Sequence, residues 1–177
     1  MLRGSGFTRP AETMAEQAPA TELQRVIAML RAGGAADGDR LSLPAWREED
    51  WERLLDAAGL RRIAAGEAVI RRGGEDRSLC IVLDGEVEVM AHASDGLSFG
   101  RLARLGPGSV VGEQAFFDGG PRSAGTWALR DCTIATLTPD QFTAFADAHP
   151  RLGRDLLLAL GRVLAVRLRR TTVKTLG

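Results

Sequence analysis

Leu79-Cys-Ile-Val-Leu-Asp-Gly-Glu-Val-Glu-Val-Met90 is the stretch that decides the fold class. Two short β-like runs, Leu79–Leu83 and Glu86–Met90, flank Asp84-Gly85. An Asp-Gly pair between two such runs signals a two-residue hairpin, because both residues tolerate the positive φ of a tight turn. Further runs of the same kind recur at roughly ten-residue spacing: Ala68–Arg71 upstream, then Phe99–Leu105, Val110-Val111, Gly125–Leu129 and Thr133–Leu137 downstream. Gly66-Glu67 and Gly73-Gly74 supply turns, and Asp95-Gly96 is the expected tip of the next hairpin. The series predicts an antiparallel sandwich or barrel.

Helical signals bracket this β unit. Thr21-Glu-Leu-Gln24 has capping-box spacing, and Leu23, Val26, Ile27 and Leu30 share one helical face before Gly33-Gly34. Pro44 to Ala58 predicts a second helix that packs Trp46, Trp51, Leu54 and Leu55 and stops at Gly59. After Leu137, Thr138-Pro-Asp-Gln141 combines an N-cap, a proline at the first helical position and a capping-box glutamine. That helix carries Phe142 and Phe145 to about His149, and a longer one runs from Pro150 to about Arg170. Its stripe of Leu152, Leu156, Leu160, Val163 and Leu164, with Leu157 and Leu168 beside it, is wider than a single core contact needs, so part of 151–170 is expected to pair with a second subunit. Residues 1–20, rich in Gly and Pro and poor in large apolar side chains, read as a disordered tail. Residues 21–40 read as a short helix and linker, and 41–177 as the functional domain.

Composition narrows the function classes. Lys plus Arg and Asp plus Glu balance at 23 each, which weighs against nucleic acid or a membrane surface as partner. No apolar run approaches the ~18 residues of a membrane helix, so a cytoplasmic location is expected. Cys80 and Cys132 lie in separate apolar runs without metal or redox spacing and read as buried thiols. Only His92 and His149 are present, neither with a partner histidine, so no metal or other cofactor is expected. No Walker loop or G-x-S-x-G appears, and no histidine is placed to activate Ser123, which weighs against catalysis.

The chemistry concentrates instead in Gly108-Ser-Val-Val-Gly-Glu-Gln-Ala-Phe-Phe-Asp-Gly-Gly-Pro-Arg-Ser-Ala124. Gly112 precedes a single helical turn, from Glu113 through Phe117, whose N–H groups favour an anion. An ionised Glu113 only accepts hydrogen bonds, so beside a phosphate its use is to hold hydroxyl donors such as those of a sugar. Asp118-Gly119-Gly120-Pro121 turns the chain and returns Arg122 and the Ser123 hydroxyl to the same place. Ala115 and Ala124 leave room for a ligand, and a phosphate with vicinal hydroxyls spells a nucleotide.

Gly112-Glu113-x-Ala115 followed by a hydrophobic pair, a short turn and Pro121-Arg122-Ser123-Ala124 resembles the phosphate-binding cassette of cyclic nucleotide-binding domains. Gly66-Glu67-x-Val69-Ile70, Gly73 and Leu79–Val89 are similar to the strands that precede it in that family. The resemblance spans about Leu41 to Arg170. It implies a catabolite-activator-like fold: a mainly β, antiparallel double-stranded β-helix or jelly roll (β-roll), with N-terminal helices and C-terminal hinge and lid helices. Carried over residue by residue, it implies that Glu113 holds the ribose 2′-hydroxyl, Arg122 pairs with the cyclic phosphate, and Ser123 donates to that phosphate. Gly112 and Ala115 present main-chain amides, and Val111, Gln114 and Ala124 complete the ligand-binding set. Val111 stands where the family commonly has an aromatic, and Gln114 where it commonly has an aliphatic.

The expected function is that of a regulatory sensor for cAMP or cGMP. Ligand binding rearranges the hinge at His149-Pro150 and closes the lid helix, with Arg162 or Arg167 as candidates to reach the base. With Gly177 as the last residue, no helix-turn-helix is expected, and the basic Arg162, Arg167, Arg169, Arg170 and Lys174 read as complementing the helix dipole. Output then passes to a downstream protein or across a homodimer. The alternative is a degenerate β-roll kept as a protein-interaction module. Against it, an unpaired buried arginine is unfavourable, so a site that no longer binds should not keep Arg122.

Overall fold

The computed structural model describes residues 20–32, 40–92 and 99–176. The expected tail, the Gly33-Gly34 stop, most of the 35–40 linker and the Asp95-Gly96 tip lie outside the described residues. The chain opens with helices α1 (Ala20–Ala32) and α2 (Glu48–Ala57). Eight strands follow: β1 (Gly59–Ile63), β2 (Ala68–Ile70), β3 (Leu79–Asp84), β4 (Val87–His92), β5 (Phe99–Leu105), β6 (Val110–Val111), β7 (Gly125–Ala128) and β8 (Cys132–Leu137). Helix α3 (Glu113–Asp118) sits between β6 and β7, and α4 (Pro139–Ala148) and α5 (Pro150–Leu176) close the described chain.

The strands form two antiparallel four-stranded sheets, in the orders β1-β8-β3-β6 and β2-β7-β4-β5. This is the expected β-roll with flanking helices. Alternation along β3 shows how the layers are built. Cys80 and Val82 join the core between the sheets, with Val69, Val87, Val111 and Ile134. Leu79, Ile81 and Leu83 face the other way, into a core shared with the helices. A strand covered on both faces has no polar face to show, which is why its sequence is a continuous apolar run.

The helical layer is anchored mainly by α5. Leu152, Leu156, Leu160 and Val163 are all but fully buried, and each such side chain contributes roughly 1.5–3 kcal/mol relative to exposure. Val26, Ile27 and Leu30 of α1 enter the same core, as do Trp46, Trp51, Leu54 and Leu55. The two tryptophans meet edge to face at 5.1 Å, packing as expected. Thr138 caps α4 by accepting from the Gln141 backbone N–H at 3.1 Å, the predicted box.

Four expectations need correction. Helix α2 begins at Glu48 rather than Pro44, fixed by the Arg47 N–H donating to Asp50 Oδ2 at 3.0 Å. Gly59 does not cap α2. It opens β1, a strand the sequence reading missed, and its carbonyl accepts from Thr136 Oγ1 at 3.0 Å. Asp84-Gly85 is not a two-residue hairpin, because β3 and β4 belong to different sheets. Gly85 has φ +92° and lies against Asp131 and Cys132 in the segment leading into β8, where a Cβ does not fit, so the glycine serves a crossing between sheets. Helix α5 also runs past Arg170 to Leu176.

Candidate functional site

The site starts from one torsion angle. Gly112 has φ +81° where β6 turns into α3, and a Cβ there would collide with the Arg122 guanidinium and lie 2.9 Å from the Ser78 carbonyl oxygen. Only glycine satisfies both the left-handed backbone and the space. The turn that follows is closed by the Gly119 N–H on the Ala115 carbonyl (3.1 Å) and by Asp118 Oδ1 accepting from the Gly120 N–H (2.8 Å). Arg122 is held on its own backbone by the turn after β2: its N–H donates to Gly74 O at 3.1 Å, and its carbonyl accepts from the Gly73 N–H at 2.9 Å.

The Arg122 side chain is buried beneath Gly112. Nη1 donates to Gly112 O (2.9 Å), and Nη2 donates to Ser78 O (2.6 Å) and Asp76 Oδ2 (2.8 Å). Its charge is therefore met within the chain by Asp76. The expectation of an arginine left unpaired is wrong, and the inference drawn from its unfavourable burial falls with it. Of the five N–H donors on a guanidinium, Nε–H is buried with no partner among the described residues. Burial raises the Asp76 carboxyl, but hydrogen bonds from Ser78 and Arg122, together with the Arg122 charge, outweigh it and hold the group below the ordinary carboxylate value.

Glu113, the first residue of α3, is only 4% exposed. Its Oε1 accepts from Arg167 Nη1 of α5 at 2.7 Å, and Arg167 Nη2 donates to the Val110 carbonyl at 2.8 Å. Between the second sheet, α3 and α5 lies a cavity of about 400 Å³, within the ~300–1,000 Å³ span of small-ligand sites. All eight residues expected at the site line it: Val111, Gly112, Glu113, Gln114, Ala115, Arg122, Ser123 and Ala124. Ser123 Oγ donates to Gln114 Oε1 at 2.7 Å.

The cavity has walls that sequence reasoning did not supply. Thr126 and the apolar Ile70, Val89 and Leu105 line it from the strands, and Arg170 and Thr171 line it from α5, beside Arg167, the lid candidate that the sequence did offer. Arg162, the other lid candidate, is exposed and away from the cavity. Helical periodicity carried a signal for Arg167: it lies four residues beyond the buried Val163, on the same face of α5. Asp76 had no comparable signal. Among the described residues no group of three or more His, Cys, Asp or Glu side chains is placed to hold a metal ion, and no helix is long and apolar enough to cross a membrane.

A sequence model of the cyclic nucleotide-binding domain matches residues 60–149, just over half of the chain and all of the cassette. The chain belongs to the cyclic nucleotide-binding domain family. Among its relatives in that family is the CRP-like cAMP-activated global transcriptional regulator of Mycobacterium tuberculosis, 31% identical over 106 residues, which are 60% of this chain and 45% of that protein. Another is the Pycsar effector protein XpPycTIR of Xanthomonas perforans, 29% identical over 126 residues, 71% of this chain and 40% of that protein. The chain thus spans less than half the length of each. Among solved structures, the catabolite activator protein of Thermus thermophilus superposes with a TM-score of 0.63 at 27% identity, covering 72% of this chain and 57% of that one. A cyclic nucleotide-binding domain from Methylobacillus flagellatus gives 0.71 at 22% identity, over 88% and 83%, a likeness of fold.

Proposed function

We propose that this cyclic nucleotide-binding domain takes up a cyclic purine mononucleotide, cAMP or cGMP, and works as a cytoplasmic regulatory sensor rather than an enzyme. The observation that carries the reading is the pairing on one cavity wall of a buried carboxylate, Glu113, with a buried guanidinium that keeps an unmet donor, Arg122 Nε–H. Glu113 holds the ribose 2′-hydroxyl, Arg122 and Ser123 serve the cyclic phosphate, and Gly112 and Ala115 present their backbone N–H groups. Val111, Gln114 and Ala124 shape the remaining wall. Residues 41–177 form the unit that carries the function, with α1 packed on it. The Mycobacterium relative is by name cAMP-activated, which favours cAMP as the first ligand to try.

The signal leaves through α5, whose movement about His149 passes to a downstream protein or to a second copy. Leu157 (39% exposed) and Leu168 (68%) on α5 give a homodimer through 151–170 an apolar seam. Light scattering should show a dimer, and a monomer at every accessible concentration rules the seam out as a self-interface.

One observation favours a second reading. Because Asp76, Ser78 and Gly112 satisfy most of the Arg122 donors, the arginine is stable without a ligand, as an interaction module that binds no nucleotide would require. Titrating the protein with cAMP, cGMP and a linear mononucleotide, followed by thermal shift, separates the two. The sensor is stabilised by a cyclic ligand in proportion to its concentration over Kd, whereas the module responds to none.

A further inference from the structure

Glu113 poses an electrostatic difficulty for the site it belongs to. A carboxylate this buried repels an anion beside it, and the proposed ligand is an anion. Arg122 cannot offset that charge alone, since its own is met by Asp76 at 2.8 Å. The ion-pair partner of Glu113 among the described residues is Arg167, from the far half of α5.

We infer that Arg167 is the positioning residue of this site: it fixes the Glu113 carboxylate, cancels its charge so that an anionic ligand can enter, and fastens the C-terminal half of α5 to the cassette. The first and third roles stand on geometry alone, and the second rests on the cyclic-nucleotide reading above. Arg167 uses both ends of its fork, Nη1 on Glu113 Oε1 (2.7 Å) and Nη2 on Val110 O (2.8 Å). It therefore bridges the residues on either side of the Gly112 turn, joining β6 and α3 to one helix. Glu113 Oε2 makes no hydrogen bond among the described residues, so a ligand hydroxyl can bind there without displacing Arg167. Seating of α5 and recognition of the sugar are thereby joined through one carboxylate, whose partner lies outside the residues 60–149 that define the family match.

The test uses the full chain as wild type, Arg167→Gln, Glu113→Gln, the double variant and Arg167→Lys, with two readouts. The first needs no ligand: amide hydrogen exchange across residues 164–172. Arg167→Gln should speed exchange there about tenfold, Glu113→Gln less because the bond to Val110 O remains, and the double variant no further than Arg167→Gln, because the Glu113 contact is already lost with the arginine. Lysine keeps the charge but cannot span both acceptors, so Arg167→Lys should also speed exchange. Unchanged exchange in Arg167→Gln, or fully additive effects in the double variant, overturns the fastening.

The second readout is calorimetric titration with cAMP and cGMP. Arg167→Gln should weaken binding about tenfold or more in the wild-type background and less than about threefold in the Glu113→Gln background, where there is no charge to cancel. Arg167→Lys should stay within about threefold of wild type. Equal weakening by Arg167→Gln in both backgrounds overturns the charge-cancelling role. If wild type binds neither nucleotide, the sensor reading and the charge-cancelling role fall together, and the exchange data still decide the fastening.

Discussion

Near its start, helix α5 sends Arg151 Nη2 to Asp50 Oδ1 at 2.8 Å; toward its end, it sends Arg167 Nη1 to Glu113 Oε1 at 2.7 Å. Both acceptors are buried carboxylates, Asp50 at 1% exposure and Glu113 at 4%. Asp50 is also bonded by the Arg47 N–H on Oδ2 (3.0 Å) and by Arg53 on Oδ1 (3.3 Å), so both oxygens are occupied and α2 is tied to α5. Glu113 has one oxygen engaged and borders a cavity. The same chemistry thus makes a structural tie where the carboxylate is filled and, on the function proposed above, a receptor for a ligand hydroxyl where it is half filled.

The comparison sharpens most at Arg122. Replacing it with alanine removes the donors to Gly112 and Ser78 beneath Glu113 and should weaken cyclic-nucleotide binding by about 2–5 kcal/mol, read by calorimetry. The same substitution should leave the α2–α5 tie intact, so the Asp50 region keeps its hydrogen-exchange protection. Next comes an exchange of effects between the two carboxylates. Asp50→Ala strands the Arg47 N–H and should lower stability by about 1–3 kcal/mol in denaturant titration, with nucleotide affinity within about twofold of wild type. Glu113→Gln should do the reverse, with under ~1 kcal/mol in stability but an affinity loss of about tenfold or more. Equal stability losses from both would erase the distinction between tie and receptor.

Acid should weaken the Asp50 tie. Burial raises the Asp50 carboxyl, yet the Arg47 backbone bond and the Arg151 bond and charge outweigh it and hold it below its ordinary value of 3.8, as Arg122 and Ser78 do for Asp76. A carboxyl depressed in the folded state binds fewer protons there than in the unfolded chain. Its stabilisation is full above about pH 3.8 and is lost as pH falls through the lower folded value. Asp50→Asn should therefore flatten the acid limb of the stability profile below about pH 4 and leave it unchanged at neutral pH in shape. The smallest effect is expected from Arg151→Ala, under ~1 kcal/mol in denaturant titration, because that arginine is half exposed and Asp50 keeps its other partners.

How much of this was legible beforehand depends on the range of the interaction. Phe99–Leu105 and Val110-Val111 were read at their observed bounds, since local alternation and flanking turns specify a strand. Thr138-Pro-Asp-Gln141 was read correctly because a cap is decided within four residues. β1 was missed because Gly59 has the look of a helix stop, whereas its role is set by Thr136, far along the chain. Asp84-Gly85 misled for the same reason: the local signal is a turn, but the sheet to which each flanking strand belongs is fixed elsewhere. All eight cassette residues gathered at one cavity, since the segment is nearly contiguous. Asp76 and Ser78 came as partners of Arg122 from 46 and 44 residues away, and no local pattern announces such pairings; Arg167 was legible as a lid residue from its helical face, but not its pairing with Glu113, 54 residues away.

The claim that Glu113 and Arg122 form a cyclic-nucleotide site is tested most directly by titrating the full chain with cAMP and cGMP alongside their 2′-deoxy counterparts. At least one of the natural ligands should bind, and loss of the single hydroxyl should weaken it by about 1.5–3 kcal/mol, the range for a hydrogen bond to a charged group. Binding of neither natural ligand, or equal affinity for a ligand and its 2′-deoxy form, would contradict the account.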